Sequence, residues 1–189
     1  MRTAAKLFAA NGYHATSMTD LTDAAGVGKG ALYHHIGSKE QLLYDISVEH
    51  VIDMVEYGAT LLESDLSAVE KLRRLSRRLM RTIADNLPEL TVFFSEHRAL
   101  DGKYDEELAA LRERFEQMWA AIVAEGYEAG VFRSADLLTV KALLGCHNCA
   151  YLWLDPDGPL TPEEVSDMFC DLLLGGLLTP ETAHTRIAL

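Results

Sequence analysis

The chain has 189 residues, 49% hydrophobic and 24% charged, with a net charge of −12 and three cysteines. That length allows one large or two small domains, the balance of apolar and charged residues excludes disorder, and no apolar run reaches the roughly 18 residues of a membrane span. The odd cysteine count argues against a disulfide framework, and no charged leader with an apolar core opens the chain, so a cytoplasmic protein is expected.

Residues 1–11 predict a helix with Ala4, Leu7 and Phe8 inward, stopped by Gly12 as a left-handed cap. Ser17 and Asp20 have capping-box spacing for a second, short helix with an apolar face of Leu21, Ala24 and Ala25. Gly26 permits the positive φ of a tight turn. Val27 is expected to fill the angle between this helix and the next, which Leu32 anchors from inside. Lys29, Gly30, Tyr33 and His34 then face outward. They offer charge, close backbone approach and planar donors and acceptors that suit base edges or phosphate oxygens. Such a pair reads as a helix-turn-helix; the plainer alternative is a structural hairpin.

Gly37 ends the third helix, and Ser38 with Gln41 caps a fourth. Lys39 in that first turn opposes the helix dipole and makes more sense beside a phosphate. Residues 1–50 hold four cations against five carboxylates, so the remainder carries −11 and the head is near neutral. A dimer neutralising about five phosphates would show a salt slope of roughly −4 to −5.

The fourth helix, from about Lys39 to Leu62, has a stripe of Leu42, Leu43, Ile46, Val51, Val55 and Ala59, and Gly58 could end it early. Ser67 opens a fifth, with Val69, Leu72, Leu75, Leu79 and Ile83 inward. Interleaved Arg73, Arg74, Arg77, Arg78 and Arg81 read as a solvated face with local ion pairs rather than a nucleic-acid site. Further helices are expected from Pro88 to about Leu100, Tyr104 to about Ala129, and Ala135 to about Leu154. After a rigid turn, Thr161, Pro162 and Glu164 start the last one. The final two helices are nearly all apolar and too many to hide in so small a body, so they predict an interface covered by a two-fold partner.

Cys146-x-x-Cys149 invites a redox pair or half a metal site. Its mid-helix place and the want of further ligands favour packing cysteines, and no metal or cofactor is expected. No catalytic constellation is present in the sequence, so an enzyme is not expected. Phe93, Phe94, Phe115, Met118, Trp119, Met54 and Tyr57 are either core or the lining of an apolar pocket.

The run Leu7–Ser17, then Ala24-Ala25-Gly26-Val27, Gly28–His35 and Ser38–Leu43, resembles the DNA-binding head of the TetR family of bacterial transcriptional regulators, over about the first quarter of the chain. The resemblance implies base-groove positions at Lys29, Gly30, Tyr33 and His34 and phosphate contacts at Thr16, Ser17 and Lys39. Thr22 replaces the usual alanine and Ile36 the usual phenylalanine, both buried positions in that family. The lead before the first helix is shorter than usual there, which predicts fewer phosphate contacts. The resemblance also implies an effector cavity among the body helices, with Met54, Tyr57, Phe93, Phe115, Met118 and Trp119 as walls and His97, Arg98 and Asn148 as polar groups. It further implies a dimer interface through the last two helices, including Trp153, Phe169, Leu172, Leu173 and Gly176. Residues 96–100 and the turn at 157–161 are similar to TetR-type regulators of fatty-acid and steroid catabolism, some of which respond to acyl-CoA thioesters.

The expectation is therefore an all-α chain of about nine helices. A three-helix head, 1–46, would bind a double-stranded DNA operator, and a bundle, 47–189, would bind a small apolar or amphipathic effector and a second copy. The rival is a small-molecule-binding or redox protein whose head has lost affinity for DNA.

Overall fold

A computed structural model of the chain describes residues 1–28, 30 and 36–179. Among these residues there are eight α-helices: α1 (Arg2–Asn11), α2 (Met18–Ala25), α3 (Lys39–Leu62), α4 (Ala68–Asp85), α5 (Leu87–Glu96), α6 (Gly102–Glu128), α7 (Leu137–Asn148) and α8 (Pro162–Leu177). Short 3₁₀ turns follow α5 at His97–Ala99 and α7 at Ala150–Leu152. The extended structure among the described residues is one antiparallel bridge, Phe132 with Leu178. The architecture is all-α, as expected. Leu32, Lys29, Tyr33 and His34 lie outside the described residues.

The chain divides into two compact units: residues 1–53 with 86–112, and residues 54–85 with 113 onward. Helices α3 and α6 each contribute residues to both units.

In the first unit α1 packs on α2 and α5. It buries Ala4, Ala5 and Phe8, with Ala5 fully covered and Leu7 only half-buried. Gly12 ends it at φ 83°, ψ 150°, a positive φ outside the left-handed helical basin expected there. The buried face of α2 is Leu21 and Thr22; Ala24 and Ala25 are exposed, contrary to expectation. The helix has only eight residues, so one turn meets the core and the next runs out to the surface. Val27 is also misread as a plug: it is 42% exposed, because its N–H turns back to the Thr22 carbonyl just beyond the left-handed Gly26. Leu42, Leu43, Ile46 and Val51 of α3 complete the core. Burying such a side chain contributes about 1.5–3 kcal/mol.

In the second unit α4 packs along α8. Leu72, Leu75, Met80, Ile83, Trp119, Ile122, Val123 and Leu174 are all but sealed from solvent. The inward stripe of α3 continues through Met54, Val55, Gly58 and Leu61; Ala59, expected inward, is exposed. A Cβ at Gly58 would stand 2.2 Å from Met118 Cε. Gly58 therefore does not end α3 but gives α6 a close seat on it. The helix after Gly130 ends at Asn148 rather than Leu154, since the chain tightens into the 3₁₀ turn Ala150–Leu152.

Candidate DNA-binding head and effector-binding body

The head is assembled by caps that its sequence spells out. Ser17 Oγ accepts from the Asp20 N–H at 3.1 Å, and Asp20 Oδ2 accepts from the Ser17 N–H at 2.7 Å, which fixes the start of α2. Those bonds hold the Asp20 carboxyl below the usual carboxylate range. Ser38 Oγ accepts from the Gln41 N–H at 3.0 Å and starts α3.

Lys39 has an internal role that its sequence position does not announce. Its Nζ donates to the Tyr13 and Thr16 carbonyls, both at 2.8 Å, and sits 4.3 Å from the centre of the Tyr13 ring. The first turn of α3 thus clamps the loop between α1 and α2. Two of the three ammonium protons are used in these bonds. Thr16 is buried, with its hydroxyl donating to the Gly12 carbonyl at 2.9 Å. Ser17 is exposed at the helix start. Gly30 is exposed, and a Cβ there would meet nothing within 4 Å. Thr22, in the alanine position, is buried and spends its hydroxyl on the Thr19 carbonyl, while Ile36 is only half-buried.

The nine effector candidates are divided between the two units. Phe93, His97 and Arg98 belong to the first unit, whereas Met54, Tyr57, Phe115, Met118, Trp119 and Asn148 belong to the second. His97 Nδ1 lies 2.9 Å from the Phe93 carbonyl; burial, then the nearby Arg112 charge, pushes its pKa down. Arg98 is exposed. In the second unit Phe115 meets Trp119 edge-on at 6.2 Å, Met54 and Met118 are buried, and the Arg78 guanidinium covers the Tyr57 ring at 5.6 Å. Asn148 is half-buried at the end of α7.

Trp119 also meets His147 at a tilt, with ring centres 5.2 Å apart, and His147 anchors a buried polar chain. His147 Nδ1 lies 2.7 Å from the Leu143 carbonyl, so that nitrogen carries the proton. Nε2 then accepts from Ser76 Oγ at 2.6 Å, and Ser76 accepts in turn from Ser166 at 2.7 Å. Burial pushes the His147 pKa down, which keeps the ring neutral. This chain was not legible in the sequence. A ladder of ion pairs also joins α4 to α8: Arg73–Asp171, Arg77–Asp167 and Arg81–Glu163. The expected local pairs reduce to Arg74–Glu70 and Arg81–Asp85, and most of the arginine face is spent across helices. The signal was there: arginines at i, i+4, i+8 on one helix and carboxylates at i, i+4, i+8 on another.

The last two helices present an uncovered apolar face. Leu152, Trp153, Met168 and Leu172 are exposed, Leu172 to 76%, and Trp153 meets Phe169 edge-on at 5.9 Å. Gly176 is exposed and Leu173 half-buried on the same helix. Cys146 and Cys149 are exposed rather than packed, which corrects the reading from sequence; only Cys170 is buried. Cys146 lies on α7 outside its buried set of Val140, Leu143, Leu144 and His147, and Cys149 is the residue just past the helix end, which explains the difference. No group of side chains suited to a metal ion occurs among the described residues.

A capped helical head and an α-helical body with an uncovered apolar face are the two parts of a DNA-binding transcriptional regulator, and comparison with known proteins fixes the family. The family "Bacterial regulatory proteins, tetR family" matches residues 1–46, and "Tetracyclin repressor-like, C-terminal domain" matches residues 65–177. The chain belongs to the TetR family. The HTH-type transcriptional repressor KstR2 of Mycolicibacterium smegmatis is 28% identical over 94% of this chain and 88% of its own. The crystal structure of PfmR, a TetR family transcriptional regulator from Thermus thermophilus, is 39% identical with a TM-score of 0.85, covering 92% of this chain and 96% of that one. AibR in complex with isovaleryl coenzyme A and operator DNA is 27% identical with a TM-score of 0.78, over 94% and 95% of the two chains. TetR regulators bind operator DNA and act as dimers.

Proposed function

We propose that two copies of this chain bind an inverted-repeat operator, one head in each major groove, and leave it when an acyl thioester fills the body. The DNA-binding domain is residues 1–46, with Lys29, Gly30, Tyr33 and His34 at base edges and Thr16, Ser17 and Lys39 at phosphates. Thr16 acts there through its backbone, since its hydroxyl is spent inside the head. Lys39 uses the one proton that its two carbonyl bonds leave over. The body, 47–189, holds the effector against Met54, Tyr57, Phe115, Met118, Trp119 and Asn148. The two-fold seam runs through Trp153, Phe169, Leu172, Leu173 and Gly176.

One observation carries the effector class: AibR, alike over 94% of this chain, was solved with isovaleryl coenzyme A and operator DNA. The unbroken α3, with residues in both units, is the element through which a change in the body reaches the head. A coupling of about 1–3 kcal/mol between the sites makes a working switch. The test is a gel shift with the DNA upstream of the chain's own gene, with and without isovaleryl-CoA and octanoyl-CoA. A retarded band that either thioester dissolves, and that Tyr33→Ala abolishes, is the expected result. Retained binding by Tyr33→Ala overturns the contact assignment, and indifference to both thioesters overturns the effector class.

A further inference from the structure

Among the described residues, every buried polar side chain of the second unit is accounted for except one. Ser76, Ser166 and His147 satisfy one another and the Leu143 carbonyl. Lys71 donates to Glu125 and to the Leu62 carbonyl, and Thr82 to the Arg78 carbonyl. The exception is Trp119, fully buried, whose Nε1 has no hydrogen-bond partner among the described residues. The imidazole beside it cannot serve. His147 lies ring to ring with it, but Nδ1 is a donor and Nε2 already accepts from Ser76. An indole N–H only donates. Left unmade, such a bond costs about 1–3 kcal/mol, so an orphan in an otherwise satisfied interior calls for an acceptor.

Resting on the effector reading above, we infer that Trp119 Nε1 is the specificity donor of the body, reading the neutral carbonyl oxygen at the apolar acyl end of the effector. A lone uncharged donor suits a thioester, ester or ketone. It does not suit a free carboxylate, whose buried charge needs a cation. The buried cation of this unit, Lys71, is already committed to Glu125. The ladder arginines spend their charge on α8. Phe115 and His147 flank the indole and hold its plane, so the donor direction is fixed before a ligand arrives.

The test compares ligands that differ only in the carbonyl. Isovaleryl-CoA and octanoyl-CoA are titrated calorimetrically into the full-length protein beside their thioethers, S-isopentyl-CoA and S-octyl-CoA, and beside octanoate. The wild type should bind each thioester about tenfold more tightly than its thioether, the scale of one net hydrogen bond. Octanoate should bind weakest. Trp119→Phe, which keeps the ring and loses the N–H, should bind thioester and thioether alike. A wild type without preference, a Trp119→Phe variant that keeps it, or octanoate binding as tightly as octanoyl-CoA each overturns the inference while leaving the effector reading intact. If no thioester or thioether binds at all, the effector reading itself falls. Should the variant fail to fold, the wild-type comparison still decides.

Discussion

Ser76 Oγ and His147 Nε2 stand 2.6 Å apart inside the second unit, in the middle of a chain of donors that starts at Ser166 and ends on the Leu143 carbonyl. Three helices, α4, α7 and α8, are pinned at one point by groups that have no access to water. The pair has the residue types of a nucleophile and its base. It lacks solvent access, and its serine donates to a ring packed against Trp119 and Phe169. Its chemistry is that of a structural bolt.

The bolt makes stability depend on pH. Burial holds the His147 pKa below its ordinary value, so the unfolded chain takes up the proton first as pH falls. Stability is then full above about 6.5 and is lost below it. Melting temperatures should drop between pH 7.5 and 5.5, and His147→Leu should flatten that slope. Part of it should persist, because His97 is depressed in the same direction by burial and by Arg112.

Arg77 and Asp167 meet through two parallel bonds of 2.8 and 2.9 Å. Both side chains remain partly in water, 47% and 36% exposed. A double-mutant cycle with Arg77→Ala and Asp167→Ala should give a coupling of only about 0.5 kcal/mol, shrinking further in 1 M salt. A coupling several times larger would mean that the rung stiffens its neighbours.

Lys39 should prove a clamp as well as a contact. Lys39→Met removes both carbonyl bonds to Tyr13 and Thr16. The protein without DNA should lose about 1–3 kcal/mol, read by urea denaturation. If the remaining proton also meets a phosphate, the salt slope of operator binding should fall by about one per lost contact. Unchanged stability with a reduced slope would leave only the phosphate role.

Leu172→Asp places a charge at the centre of the uncovered face of α8, where the wild-type side chain touches little of its own subunit. Sedimentation should show a monomer that keeps its helical content and loses operator affinity. A dimer that survives this change would move the seam elsewhere.

The sequence disclosed what is local and concealed what is not. Ser17–Asp20 and Thr161–Glu164 form the capping boxes that their spacing predicts, since both partners lie within one turn. Helix order followed from periodicity, and the outward Leu172 from the family resemblance. Ala24, Ala25, Val27 and Ala59 were misassigned, because small or single apolar residues at a short or curving helix surface leave its facing to tertiary neighbours. The ladder joins residues 82 to 98 positions apart. The Lys39 clamp reaches back 26. Partners at that distance are matched only once the helices are docked. The exposed cysteines were misread for the same reason: apolar composition places them on a helix, not on its side.

Each rung of the ladder pairs a step up α4 with an equal step down α8, so the two helices are read against one another like a vernier. Inserting one residue into α8 between Glu163 and Asp171 would swing everything beyond it by about 100° and cancel the match on one side of the insertion. Such a chain tolerates exchange of its charges far better than any change in their count. Its descendants should vary in residue identity along this edge while the length of α8 between those carboxylates stays fixed.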